Sequence, residues 1–381
     1  MNKSIKLSLA AAMVAGMVSN ANAKVNLEDA IKDVTLKGYV SYTMEKLTDN
    51  NGKDSEAQHD IDVRVQIDSK INDNYSLTVR VDEKNDDDKD KNPNDADSTT
   101  KDSSALQPEI DQVYMTYKEG GLKAKVGMQK VLASRLHDSI NGDGFVVSNK
   151  LSNDLTVSGG YFYTTEKTDT DEVAGIDLSG KVSMLKYGLT YATVIDSDEN
   201  NNDGTVGDNG AKILDLRVDA KISNALNLHV AHTNKSLDKS GEKDQKLTKL
   251  VASGKSGNIK YALGYAMAGK DGASVAIDGD SDASVNLVLD EVSTNDIQDG
   301  NAIYAMVGTK LTDNVSASLE YVTADGDAGS VKDANEMVLK LTNKITKKFK
   351  TFISYDTWET KDFSNTKTEK TEITLGAKYS F

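Results

Sequence analysis

The chain has 381 residues with 28 Gly, two Pro and no Cys, a formal net charge of −15 at pH 7, 38% hydrophobic and 28% charged residues, and a mean hydropathy of −0.50. The missing Cys excludes disulfide scaffolds, Cys-ligated zinc and thiol catalysis, and the acidic balance argues against a nucleic-acid partner, whose phosphates require a basic surface. So few apolar residues with so much Asp would suit a partly disordered chain, unless the apolar residues are periodic.

The N-terminal residues have the form of an export signal. Lys3 and Lys6 precede an apolar run from Leu7 to Val18, and Ala21-Asn22-Ala23 supplies a small-x-small cleavage site. The run falls short of the roughly 20 residues a spanning helix needs. Cleavage after Ala23 is expected, leaving residues 24–33 as a short periplasmic segment and residues 34–381 as the folded body.

From residue 34 onward the period is two. Ile61, Val63, Val65 and Ile67 alternate with Asp62, Arg64, Gln66 and Asp68. A turn at Lys70 to Asn74 leads to Tyr75, Leu77, Val79 and Val81, which alternate with Ser76, Thr78, Arg80 and Asp82. Such segments are strands with one apolar and one polar face. The unit of strand, tight turn and strand recurs at Val113–Met128, Leu214–Val230 and Ile303–Tyr321, and longer Asp/Asn/Gly-rich stretches such as Lys84–Ser104, Asp196–Gly210 and Gly269–Gly300 separate the units. Short turns alternating with long loops is the layout of a transmembrane antiparallel β-barrel, all-β, with short periplasmic turns and long extracellular loops. Closure is required because an open sheet edge cannot survive in hydrocarbon. About 18 strands are expected. The spans at 143–150, 174–182 and 335–343 have the weakest alternation, so 16 is the alternative. A barrel this wide leaves an aqueous lumen.

Aromatic residues fit two interfacial girdles. Tyr42, Tyr163, Tyr191, Tyr321, Tyr355 and Trp358 fall at the long-loop ends of strands, and Tyr75, Tyr187, Phe349 and Phe381 fall near short turns. The last strand runs from Thr371 through Tyr379 to a terminal Phe381. A strand ending on an aromatic residue resembles the assembly signal of outer-membrane barrels, which assigns that role to Tyr379 and Phe381 and implies the barrel-assembly machinery as a partner.

Catalytic motifs fail on geometry. His229 and His232 are three apart on a strand and point to opposite faces, so they cannot share a metal. His137-Asp138-Ser139 has triad residue types, but adjacency is not triad geometry. Gly254-Lys255-Ser256 lacks the leading Gly and the helix of a phosphate-binding loop and is expected to form a periplasmic turn. Asp278 to Asp282 and Glu199 to Gly204 imitate the first half of a calcium loop but lack its closing acid. No cofactor is expected, with Ca2+ at the acidic loops as the one weak alternative.

The arginines are informative because there are four: Arg64, Arg80, Arg135 and Arg217. Arg64, Arg80 and Arg217 lie on polar strand faces, and Arg135 lies in the third long loop, between Gln129 and Gly142. A fixed charge on a planar head suits the lining of a narrow pore. The candidate pore constriction is Arg64, Arg80, Lys123, Lys125, Arg135 and Arg217, facing Asp138 and Asp143.

Four stretches carry a family resemblance: Leu27-Glu28-Asp29-Ala30-Ile31-Lys32-Asp33-Val34, Gln112-Val113-Tyr114-Met115-Thr116-Tyr117, Val126-Gly127-Met128-Gln129 and Gly376-Ala377-Lys378-Tyr379-Ser380-Phe381. The chain resembles the Campylobacter-type major outer membrane porins. The resemblance implies homotrimers of 18-stranded barrels, each with a constricting inward loop, set in outer-membrane lipid and lipopolysaccharide. This sequence is shorter and its loops are richer in Asp, so loop-borne properties do not carry over. The expected function is passive diffusion of ions and small hydrophilic solutes, without covalent chemistry. A substrate-specific channel, or a surface adhesin whose barrel displays acidic loops, are the alternatives.

Overall fold

The computed structural model describes residues 34–49, 57–84, 108–132, 135–137, 140–165, 172–195, 210–237, 243–277, 289, 292–329 and 331–381. The expected signal peptide, the segment 24–33, Asp138 and the two calcium-like stretches lie outside these. The strands are β1 (Val34–Asp49), β2 (Gln58–Lys70), β3 (Tyr75–Lys84), β4 (Glu109–Glu119), β5 (Leu122–Lys130), β6 (Asn141–Ser152), β7 (Leu155–Thr165), β8 (Glu172–Val182), β9 (Leu185–Ile195), β10 (Ala211–Lys221), β11 (Asn227–Leu237), β12 (Gln245–Ser256), β13 (Ile259–Ala268), β14 (Ile297–Gln298), β15 (Asn301–Lys310), β16 (Val315–Asp325), β17 (Ala328–Gly329), β18 (Asp333–Lys344), β19 (Phe349–Lys361) and β20 (Lys367–Ser380). All but β14 and β17 form one 18-stranded antiparallel sheet, while those two pair with each other. The sheet closes where β1 meets β20, in register from Tyr39 opposite Ser380 to Asp49 opposite Lys370. The three weakly alternating spans are all strands of this barrel, so the count is 18 rather than 16. Among the described residues no helix is long and apolar enough to cross a membrane; the strands cross it.

Side-chain parity produces the two faces. Along β9, Leu189 and Tyr191 are exposed on the outside while Gly188, Thr190 and Ala192 are buried inside. Val40, Met115, Leu216, Leu319 and Ile353 continue the outer apolar surface around the barrel, the face a bilayer covers. Four of the short turns use one device, a side-chain oxygen that accepts backbone N–H bonds two and three residues on. Asn72 Oδ1 takes Asn74 N and Tyr75 N (both 2.9 Å), and Ser223, Thr312 and Thr346 do the same with their hydroxyls.

The lumen is not uniformly aqueous. The β5–β6 connection folds inward and buries Val131, Leu132, Leu136 and Ile140. The β13–β15 connection does the same with Ala273, Val275, Ala276, Ile277, Val292 and Ile297. Both pack on inward residues of the β7–β19 wall, including Phe162, Ile213, Leu247 and Val322, as one apolar cluster. The two connections meet where Ile277 N donates to Leu136 O (2.6 Å). The stretch 269–300, expected to be a polar loop, is therefore in part a lumen lining, because its apolar residues find cover inside the barrel.

Two further expectations need correction. Trp358 does not join the outer girdle. It shares parity with Asp356 rather than Tyr355, points inward and is 6% exposed in the apolar cluster. Gly254-Lys255-Ser256 finishes β12, and the turn follows at Gly257-Asn258, where Gly257 adopts φ +58°.

Candidate functional site

The inward connections cover one side of the lumen and leave a charged wall on the other, built by β1–β5 and β20. On β2, Arg64 donates from Nε and Nη2 to the two oxygens of Asp82 on β3 (2.6 and 2.5 Å). This two-point pairing suits the planar guanidinium. Its other face lies over the Tyr39 ring, 5.5 Å from the centroid, and Lys378 of β20 covers the same ring at 3.3 Å. One aromatic face between two cations is a favourable cation–π arrangement. Arg80 on β3 is 6% exposed and pairs with Asp111 on β4, with Asp82 3.6 Å away. Asn141 at the start of β6 donates to Asp111 (2.5 Å) and contacts Gln112 (2.6 Å), tying this network to the base of the inward β5–β6 connection. A strand irregularity between Arg80 and Val81 lets Asp111 reach Arg80.

Arg135 holds the inward connection to the far wall. Its Nε donates to Asp215 on β10 (2.6 Å), Nη1 to Asp177 on β8 (3.3 Å) and Nη2 to Thr190 on β9. Asp215 is 1% exposed and also accepts from Thr233 on β11 (2.8 Å). His137, two residues on, is structural: its Nδ1 accepts Ile140 N (3.1 Å). The β13–β15 connection has its own anchors. Lys235 donates to Ala276 O (2.8 Å), and the buried Glu336 accepts from Val292 N (2.7 Å). At its start, Lys243 donates to Asp271 (2.9 Å), which holds the Lys243 ammonium above its ordinary pKa.

The structure thus groups some of the expected residues and separates others. Arg64 and Arg80 share the charged wall. Lys123 and Lys125 lie on the lumen face of β5 nearer the short turns, Lys125 over the Tyr114 ring at 4.4 Å. Arg217 lies on the lumen face of β10, eight strands round from β2, with its side chain across Gly188. A Cβ at Gly188 would come 2.5 Å from Arg217 Nε, so a larger residue there would displace the arginine side chain. Arg135 faces the β8–β10 wall, Asp143 is exposed with the outward parity of Phe145 and Val147, and Asp138 lies outside the described residues. At the C-terminus Tyr379 is exposed on the outer face, its ring 6.4 Å from that of Phe381. Phe381 N donates to Gly38 O (3.0 Å), so the final residue takes part in closure. His229 bonds Asp219 and His232 bonds Thr248, on opposite faces. Among the described residues no group of three His, Cys, Asp or Glu is placed to hold a metal.

Comparison with known proteins follows the same lines. The family model for the Campylobacter major outer membrane protein matches residues 2–193, just over half of the chain. No curated protein matches. Among solved structures, Pseudomonas aeruginosa OpdO is similar with a TM-score of 0.70 and 12% identity, covering 93% of this chain and 98% of that one. P. aeruginosa OccK2 (OpdF) in complex with glucuronate has a TM-score of 0.66 and 12% identity, covering 92% and 99%. Acinetobacter baumannii OccAB4 has a TM-score of 0.65 and 13% identity, covering 92% and 98%. At these identities the likeness is one of fold.

Proposed function

Because this chain belongs to the Campylobacter major outer membrane protein family and is an outer-membrane porin, we propose that ions and small hydrophilic solutes diffuse through it along the charged β1–β5 wall. The observation that carries this reading is the one-sided filling of the lumen. Apolar connections cover the β7–β19 side, while the paired charges of Arg64, Asp82, Arg80 and Asp111 stay on the other. Fixed charges that line one wall of an aqueous passage orient water and sort solutes by charge and dipole.

The screening residues of this proposal are Arg64, Arg80, Lys123, Lys125 and Arg217, with Arg135 fixing the inward connection; Asp138 is kept from the sequence alone, and Asp143, which has outward parity, drops out. Assembly as a homotrimer in lipid and lipopolysaccharide, with Tyr379 and Phe381 read by the barrel-assembly machinery, belongs to the same proposal, as does Ca2+ at the acidic loops as a weak alternative. A substrate-specific channel for small carboxylates is the second reading. The Arg64–Tyr39–Lys378 stack and the glucuronate held by OccK2 favour it.

Conductance and reversal potential of refolded protein in a planar lipid bilayer test these readings. Diffusion predicts steps that scale with salt. A carboxylate-specific channel predicts block by glucuronate at low concentration, and a closed display barrel gives no steps.

A further inference from the structure

Arg64 and Arg80 each hold an acid, but a cluster of lysines nearer the short turns does not. Lys118 on β4 stands directly opposite Lys123 on β5, across the turn at Gly120-Gly121. Lys125 follows Lys123 on the same face of β5, and Lys150 on β6 lies one inward position beyond Ser148, the residue opposite Lys123. All four share the inward parity of the buried Thr116 on β4 and Gln129 on β5. Directly opposed Cβ atoms lie about 4.5–5.5 Å apart and diagonal ones about 7–8 Å, while residues two apart along a strand are separated by about 6.7 Å. Four ammonium groups on three neighbouring strands therefore share one patch of the lumen wall.

The acids that could neutralise this patch are engaged or face away. On the lumen faces of β4–β7 the acid is Asp111, which is bonded by Arg80 and Asn141. Beyond β3, Asp68 is held by Lys37 and Thr78 (both 2.8 Å). Glu119 and Asp143 have outward parity. Among the described residues none of the four lysines forms an ion pair, and Lys125 rests its ammonium over the Tyr114 ring at 4.4 Å, which positions the charge without cancelling it. Like charges directly opposed on a sheet repel, and an anion seated between them removes that cost. The hydroxyls of Ser148 and Thr116, opposite Lys123 and Lys125, add uncharged donors. We propose that this patch is a binding site for phosphorylated solutes, with a phosphoryl group between Lys118 and Lys123 and with Lys125 and Lys150 to either side. A phosphoryl group carries about −1.5 to −2 charge and three acceptor oxygens. Rotatable lysine ammonium groups suit it as point charges, whereas a planar carboxylate is matched best by the fork of an arginine, and the patch has none. The proposal adds a ligand class to the porin reading, on which it rests for the solute's route to the patch.

The test is isothermal titration of folded, detergent-solubilised protein with sodium triphosphate, beside planar-bilayer recording with the same anion. Saturable binding is expected at about 0.1 M KCl and should weaken at about 1 M, as the screening length falls from about 10 Å to about 3 Å. Triphosphate should bind more tightly than propane-1,2,3-tricarboxylate, which has carboxylates in place of phosphoryl groups, and should interrupt the single-channel current. Lys118→Gln with Lys123→Gln should raise Kd about tenfold or more, because hydrogen bonds to charged groups are the stronger ones. Lys255→Gln with Lys260→Gln removes the same charge from another opposed pair, on β12 and β13, and should leave Kd within about twofold, since that pair lies beyond a screening length. Removing opposed like charges favours folding, and heat-dependent gel migration confirms that both variants are closed barrels. Absence of saturable binding, a tricarboxylate that binds as tightly as triphosphate, or equal losses in the two double variants would each overturn the proposal. Binding to a barrel that gives no current steps would instead refute the porin reading and leave the site standing.

Discussion

Replacing Arg135 with Ala should make the inward β5–β6 connection leave the wall intermittently. The guanidinium bridges Asp215, Asp177 and Thr190 on three strands, and Asp215 is 1% exposed, so the substitution removes the cation bonded to a buried carboxylate and leaves it only the nearby buried Lys249. With Lys249 still beside Asp215, the loss lies at the lower end of the about 3–5 kcal/mol that breaking a buried pair costs, which raises the undocked-to-docked ratio by about two decades. Other contacts still hold the connection. The fully buried Leu136 contributes about 1.5–3 kcal/mol, and the bond from Ile277 N to Leu136 O adds about 1 kcal/mol. The docked state should therefore persist but open in bursts. Single-channel recordings should show upward excursions roughly a hundredfold or more as frequent as in the wild type. Arg135→Lys keeps the charge and loses the fork, so it should fall between. If Arg135→Ala shows wild-type excursion frequency, apolar packing alone holds the connection and the latch argument is wrong.

Three further outcomes follow from other contacts. Arg64→Ser exposes Asp82 to the lumen and should move the reversal potential toward cation preference even at 1 M salt; neutralising Asp86 to Asp88 should matter only in dilute salt, since distant charges are screened. An unchanged potential in Arg64→Ser at high salt would show that this wall does not line the passage. Gly376→Ala would place a Cβ 2.2 Å from Phe352 Cζ, so thermal unfolding should occur earlier by the equivalent of about 1–3 kcal/mol. Adding Phe352→Ala should recover much of that loss, and no recovery would place the strain elsewhere. Deleting Phe381 removes both hydrogen bonds to Gly38. Assembled barrel in the outer membrane should then fall while export continues, and normal levels would count against a terminal assembly signal.

The barrel was legible in the sequence because lipid and lumen impose a period of two on every strand, and Ile61–Ile67 and Tyr75–Val81 show it plainly. What fills the lumen was harder to read, because it depends on contacts between residues far apart in the chain. Arg135 could be assigned to the third loop, yet its partners Asp177, Thr190 and Asp215 lie on three strands that only the register brings together. Some signals were present in the sequence. Trp358 is three residues from Tyr355, which puts the two on opposite faces as surely as it separates His229 from His232. Ala273, Val275, Ala276 and Ile277 are apolar within a stretch otherwise full of Asp, as a segment bound for the interior would be. Lysines that stand opposite one another on paired strands recur at a spacing of five across short turns, at 118 and 123, 181 and 186, and 255 and 260. Strand parity is local and survives in the sequence; the depth of a residue along the pore axis emerges only on closure.

The joint between β1 and β20 makes the two ends of the barrel domain neighbours, with Gly38 and Phe381 sharing two backbone hydrogen bonds. Adjacent termini are the condition for circular permutation. A short linker from Phe381 to Val34, with new ends cut in one of the long connections, would keep all 18 strand registers. It would also move the aromatic residue into the interior of the chain. Such a rearranged gene would ask separately about closing the cylinder, which the Gly38–Phe381 bonds show, and about the assembly role proposed for a terminal aromatic residue.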